Sequence, residues 1–299
     1  MMRQVARLAL VLVCALWASA RAAAAPEITV VPESPRVGDV MFLTLRPEED
    51  LLRAACSWNE KSYRLLPVGR AFEVVMPVPL DTKPGGHHAT VYWKYAGGGM
   101  GKARVALEVK PREFGVQHLR LSQSQERKYT APETRRERLL IGEALGRVSP
   151  ERRWAGSFTT PVAGRVSTGF GLQRYINGRL AYRHRGMDIA APQGTPVVAA
   201  ADGLVALADD SFILHGQTIV LDHGHGIASL YLHLSEIAVA PGESVVQGQT
   251  IGRVGATGVA TGPHLHFAVY AYHEAVDPAF WLRLPQTATT NAEPGEDVS

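Results

Sequence analysis

Pro263-His264-Leu265-His266-Phe267-Ala268-Val269-Tyr270 is the stretch from which the fold of the C-terminal half is read. It reads as a strand, and along a strand residues i and i+2 share a face. His264 and His266 therefore point the same way, and both can reach one site. Upstream, His184-Arg185-Gly186-Met187-Asp188 places a histidine and an aspartate four apart. That spacing fits one helical face or one strand face. Gly186 between them and Ile189-Ala190-Ala191-Pro192 after them argue against a helix, so the pair is expected on a strand or a bulge entering one. Histidine nitrogen with a carboxylate oxygen is a usual ligand set for catalytic zinc; three protein ligands leave a fourth position for water, whose pKa zinc brings to about 7. Such a set points to hydrolysis.

With 11 histidines in the chain, a short His-x-His spacing also arises by chance. A second one stands at His223-Gly224-His225. Its glycine neighbours, after Thr218-Ile219-Val220-Leu221, read as a hairpin turn, so this pair is expected to be structural. Val197–Ala200, Gly203–Leu207, Thr218–Leu221, Ile227–Leu232 and Ile251–Val254 read as strands with tight turns, which makes residues 154–284 a β-dominated unit. Residues 285–299 are polar and acidic and are expected to be disordered.

Residues 26–111 also read as all-β. Ile28–Val31, Val40–Leu45, Phe72–Met76, Ala89–Trp93 and Ala103–Val109 are short strand-like runs separated by Pro/Gly/Asp turns. Such spacing suggests a small immunoglobulin-like sandwich, with His87 and His88 as solvated loop residues at a turn. Residues 112–153 form a connector. Thr130 to Val148 reads as one amphipathic helix, with a start signal in Pro132 and Glu133 and an apolar stripe at Leu139, Leu140, Ala144 and Leu145. Arg135, Arg136 and Arg138 read as a solvated face.

Arg3 and Arg7, the apolar run Leu8 to Ala18, and the alanines up to Ala25 read as an export signal over residues 1–25. The apolar run is short of the roughly 20 residues a membrane span needs, so no integral span is expected in the mature chain. The net charge of +3 comes from 31 basic and 28 acidic residues; removing residues 1–25, with three arginines and no acid, leaves 28 against 28. Nothing in that balance steers the protein to nucleic acid or to a membrane surface. Of the two cysteines, Cys14 lies in the leader, so Cys56 has no internal partner and reads as a small buried residue.

Phe170-Gly171, His184-x-Gly186-x-Asp188, Tyr231-x-His233, Gly248-Gln249-x-Ile251-Gly252 and Thr257-Gly258-x-x-Thr261-Gly262-Pro263-His264-x-His266 together resemble the lysostaphin-type (LytM-like) zinc endopeptidases of bacterial peptidoglycan. The likeness covers about residues 154–282. An immunoglobulin-like front domain with a helical connector resembles, more loosely, exported members from double-membraned bacteria. The resemblance implies an all-β, two-domain protein whose C-terminal antiparallel metallopeptidase domain carries the duplicated hybrid motif. It implies that His184, Asp188 and His266 hold Zn2+. It implies that His233 and His264 are not ligands but flank the water and the scissile carbonyl, one as proton acceptor and one as polariser. Arg185 adds positive charge beside the metal, which suits a peptide with a free carboxylate; its bland reading is a solvent-facing arginine. An additional tyrosine near zinc in some relatives is assigned to neither Tyr175 nor Tyr182. Gly169, Gly171, Gly255, Gly258 and Gly262 are expected to let an extended peptide approach.

The implied function is an exported endopeptidase, periplasmic or secreted, cutting peptide crosslinks of peptidoglycan, with the D-alanyl to diamino acid bond as the expected target and an envelope regulatory protein as a conceivable partner. The second reading is a non-hydrolytic wall-binding activator of another hydrolase; the complete set of histidines weighs against it. A third reading is a biotin or lipoyl carrier, suggested by Val239 to Gly252. It fails because no lysine follows Lys128 to bear the cofactor.

Overall fold

The computed structural model describes residues 25–284; the expected export signal up to residue 24 and the expected disordered tail lie outside them. The described chain is mostly β-strand with few helices. The front strands are Glu27–Val31 (β1), Val40–Arg46 (β2), Leu51–Trp58 (β3), Lys61–Val68 (β4), Ala71–Pro77 (β5), Gly85–Tyr95 (β6) and Met100–Val109 (β7). They form one continuous hydrogen-bonded order, β1-β2-β5-β4-β3-β6-β7. Alternate residues of β2 to β7 point into a shared core that includes Leu43, Cys56, Leu65, Met76 and Val91. Cys56 is fully buried there, and burial pushes its thiol up to about 12.

Two front strands escape the sequence reading. β3 and β4 are joined through Asn59 and Glu60, both with positive φ (47° and 62°). A two-residue turn of that kind is usually marked by glycine at its second position, and glutamate hides it. His87 and His88 are also corrected: both lie on β6 rather than in a turn, His87 with Nε2 2.7 Å from the Lys83 carbonyl oxygen.

The connector adds the short strand Val116–Leu119 (β8) and two helices, Gln123–Thr130 (α1) and Glu133–Leu145 (α2), where one helix was expected. Ser122 opens α1 with a capping box to Gln125. Pro132 then holds Ala131 extended, and the chain restarts as α2. The expected stripe is wrong in part. Leu139 is 65% exposed, whereas Thr134, Glu137, Ile141, Ala144 and Leu145 are buried. The expected stripe holds apolar residues alone, but a threonine and a glutamate occupy the inward face.

The remaining elements are Arg165–Thr168 (β9), Gln173–Ile176 (β10), Arg179–Arg183 (β11), Met187–Ala190 (β12), Pro196–Val198 (β13), Gly203–Asp209 (β14), Gln217–Gly224 (β15), Ile227–Ile237 (β16), Ser244–Val245 (β17), Thr250–Val254 (β18), His264–Ala271 (β19), Glu274–Val276 (β20) and Pro278–Trp281 (α3). The main path is β17-β14-β15-β16-β19-β12-β9, and β10 pairs with β11 and with β8 of the connector. All pairs in the large sheet are antiparallel.

The large sheet has two unlike faces. Ile189, Tyr231, Leu265, Phe267 and Val269 point into one core, closed by Trp154, Phe158 and Trp281. Leu230, Leu232, Ala268 and Tyr270 point the other way and meet Ile141, Ala144 and Leu145 of α2. The first core also joins the two sheets, because Phe42 of β2 lies 6.2 Å from Trp154 and 6.1 Å from Trp281. Ring pairs of this kind contribute about 0.5–1.5 kcal/mol each beyond area burial. The opposite face, shared with α2, carries His266 and borders the cleft lined by His184, Asp188, His233 and His264.

Candidate metal centre

Three neighbouring strands, β16-β19-β12, assemble the site. Asp188 of β12 is the direct cross-strand partner of His266, and His264 is that of Ala190. Directly opposed residues have Cβ atoms about 4.5–5.5 Å apart, so register alone brings Asp188 and His266 into contact. Of the pair expected on a strand or a bulge entering one, Asp188 lies on β12 and His184 just ahead of it. His184 sits in the turn between β11 and β12, where its N–H donates to Leu172 O at 2.8 Å and its Nδ1 lies 2.7 Å from Gly169 O. Gly186 lets this turn press onto β19: a Cβ there would stand 2.5 Å from Phe267 O and 2.8 Å from His266 Nε2.

His184 Nε2 lies 3.0 Å from Asp188 Oδ1 and 3.1 Å from His266 Nδ1, and His266 Nδ1 lies 2.8 Å from the same oxygen. His184 Nδ1 carries the proton donated to Gly169, so Nε2 turns a lone pair inward. Burial pulls His266 down to about 4, against the pull of Asp188. Burial would raise the Asp188 carboxyl, but its contacts with the His184 and His266 rings outweigh it and hold the group well below the usual carboxylate range. Two imidazole nitrogens and a carboxylate oxygen thus face one point. Such a cluster repels itself unless a cation lies within it. Bonds of about 2.0–2.2 Å to nitrogen and oxygen fit between atoms so spaced. Among the described residues this is the one group of histidine, cysteine and carboxylate side chains so arranged.

Arg174 of β10, which no spacing in the sequence singles out, completes the cluster. Its Nη2 donates to Asp188 Oδ2 at 2.7 Å, and its Nε to Gln117 Oε1 at 2.8 Å. The clamp leaves Oδ1 for the centre and fixes the carboxylate's orientation, as outer partners of metal ligands do. A buried arginine needs an anionic partner, but β10 pairs with β11 and β8, off the motif strands, so nothing local reveals it.

His233 and His264 flank the centre with ring centroids 4.9 Å apart. His264 Nδ1 lies 2.8 Å from Gly262 O, and His233 Nδ1 lies 2.9 Å from Thr257 O. Each therefore donates through Nδ1 and leaves Nε2 as an acceptor. Burial, then the neighbouring His264 and His266, pulls His233 down to about 3. Strand alternation should send His233 to the far face, because Leu232 already faces the site. A left-handed backbone at His233 (φ 64°) breaks the alternation, and Leu234 resumes it on the opposite core.

A cleft of about 650 Å³ opens over the centre. One wall is the motif strands; the other is the connector, through Gln117, Leu121, Tyr129, Arg138 and Ile141. Tyr182 and Arg185 also line it, Arg185 as an exposed side chain. Tyr182 OH lies 2.9 Å from Tyr129 OH of α1, while Tyr175 stacks on His118. The glycine expectation is corrected in part. Gly171, Gly255 and Gly258 are needed for packing within the chain, since a Cβ would stand 2.1 Å from Phe114, 2.4 Å from Ser235 N and 2.4 Å from Gly216 N. Gly262 is open and lines the cleft. The second His-x-His pair is elsewhere: His223 Nδ1 and Nε2 are taken by Asp202 O (2.7 Å) and Ser229 Oγ (2.7 Å).

Residues 182–278 match the model of Peptidase family M23. A Pseudomonas aeruginosa crystal structure provisionally assigned as a peptidase M23 is 31% identical, with a TM-score of 0.61, over 84% of this chain and 95% of that one. The DD-carboxypeptidase/endopeptidase Mpg of Neisseria meningitidis is 37% identical over 150 residues, 50% of this chain and 34% of its own. The peptidoglycan DD-endopeptidase ShyC of Vibrio cholerae is 43% identical over 105 residues, 34% of this chain and 24% of its own. The chain thus spans about a third or less of the length of the curated relatives it matches.

Proposed function

The chain belongs to Peptidase family M23, and on that premise we propose that it is a zinc endopeptidase acting on the peptide crosslinks of peptidoglycan, exported by its N-terminal leader. The observation that carries this reading is the convergence of His184 Nε2, His266 Nδ1 and Asp188 Oδ1 within 3.1 Å of one another beneath an open cleft. Those three residues would hold the metal. When bound, zinc supplies a Lewis acid and lowers the pKa of a water to about 7. The chain supplies the rest. Arg174 orients Asp188. His233 and His264 each present a bare Nε2 toward the centre, positioned to take a proton from the attacking water and return it to the departing amine. Their Nδ1 bonds to Thr257 and Gly262 fix that tautomer.

The substrate class comes from the relatives named above. The cationic residues on the cleft, Arg138 and Arg185 among them, suit a peptide bearing carboxylates. The division into an immunoglobulin-like domain (26–111), a connector (112–153) and a catalytic domain (154–284) is part of the same proposal, as is location in the periplasm or outside the cell. No helix among the described residues is long and apolar enough to cross a membrane. Mass spectrometry of fragments released from purified sacculi tests the proposal. Cleaved crosslinks with new amine and carboxyl ends are expected; release only when a second hydrolase is added would replace the enzyme with an activator.

A further inference from the structure

The family match begins at residue 182, yet a carboxylate from the connector holds a loop whose Leu214 and His215 line the cleft. Glu137 of α2 is 3% exposed. Its Oε1 accepts the N–H groups of Ile213 (2.7 Å) and Leu214 (3.2 Å). Its Oε2 accepts those of Leu214 (3.2 Å) and His215 (3.2 Å), and the His215 Nδ1–H at 2.8 Å. Three successive backbone donors thus converge on one anion, in the manner of a backbone nest. Burial works against the charged form, but the His215 ring and the three N–H groups outweigh it and keep the carboxyl below its ordinary pKa. Residues 213–216 lie outside any strand and have no ladder of their own to hold them.

That loop holds His233. His233 N–H donates to His215 O at 3.2 Å, and Val259 N–H to Leu214 O at 2.9 Å. Gln217 N–H donates to Thr257 Oγ1 at 3.0 Å, and Thr257 O is the acceptor for His233 Nδ1. His233 thus takes both its backbone and its ring restraint from segments joined to the Glu137-bound loop. It needs them, because a left-handed non-glycine residue persists only where its surroundings over-determine it.

We propose that Glu137 is a positioning residue for His233, which makes α2 of the connector part of the catalytic apparatus. The inference rests on the peptidase reading. Loss of the carboxylate frees three N–H groups, loosens the loop and lets His233 leave its left-handed conformation. A displacement of about 1 Å at such a group can cost about a hundredfold in turnover.

The test uses the full chain, zinc-loaded, on a purified crosslinked muropeptide dimer. Glu137→Ala is expected to fold, to keep its zinc and KM, and to lose about a hundredfold in kcat. Glu137→Gln keeps the volume and one acceptor oxygen, so its loss is smaller. Acetate, which matches the atoms removed by Glu137→Ala, should restore turnover in that variant and leave the parent unchanged. In a His233→Ala background, Glu137→Ala should add little further loss, because the two act as one unit. Full activity of both Glu137 variants beside an active parent overturns the inference and spares the peptidase reading. So does a full second loss in the His233→Ala background. Failure of both variants to fold or to hold zinc also overturns it, making Glu137 a residue of folding alone. An inactive parent sinks the peptidase reading and this one with it.

Discussion

His223-Gly224-His225 and His264-Leu265-His266 have the same spacing and opposite fates. In the first pair the glycine lies at the end of β15, and the chain turns through Gly224, His225 and Gly226, all with positive φ. His223 is buried with both nitrogens bonded, and His225 points its Nε2 to Pro150 O at 3.1 Å. In the second pair the strand continues straight. Both rings face one cleft, and each has a nitrogen turned inward. What separates the two pairs is therefore not spacing but whether a ring nitrogen is turned to an accessible face.

The sharpest way to break that contrast is to remove a ligand. His266→Ala is expected to lose zinc and all measurable activity together, read by metal analysis and dimer cleavage; a chelator should do the same to the parent. His264→Ala should lose about 10²–10⁴ in kcat, the usual worth of an acid–base group, while keeping its zinc. Equal zinc loss in both variants would end the division of labour between the two residues. Arg174→Met should come next, with metal affinity weakened about 10–100-fold in a competition titration, since the clamp on Asp188 acts only through the ligand.

His223→Asn should leave zinc and kcat unchanged and act on stability alone, costing about 1–3 kcal/mol through the disturbed bonds to Asp202 and Ser229. The pH dependence sharpens the same point. Burial lowers His223 from 6.5 to about 4. The unfolded chain then binds more protons between those values, so stability rises with pH across that window. The contribution is complete above 6.5 and is lost as pH falls toward 4. At about 1.4 kcal/mol per unit it amounts to about 3 kcal/mol. Denaturant melts from pH 7 to 4 should show a shallower slope in His223→Asn than in the parent.

The β elements were legible where apolar and polar residues alternate and turns carry glycine or proline. β18 and β19 follow their sequence runs closely, while β15 and β16 contain theirs and run on past them to Gly224 and Ile237. The β3–β4 hairpin was not, because its left-handed turn is made by Asn59-Glu60. The inward face of α2 was not legible either, because it carries Glu137, whose partners are some 76 to 78 positions away in the chain.

By itself the sequence determined which residues could carry the chemistry. His184, Asp188, His233, His264 and His266 are visible as motifs, and the shared face of His264 and His266 follows from strand periodicity. Only the tertiary structure decided how they are arranged. It set the β12–β19 register that opposes Asp188 to His266, turned His233 toward the site through a left-handed residue, and brought Arg174 and Glu137 in from outside the motifs. Periodicity is a local property of the backbone. Register and long-range ion pairing depend on how every intervening strand packs, and no short stretch of sequence carries that information.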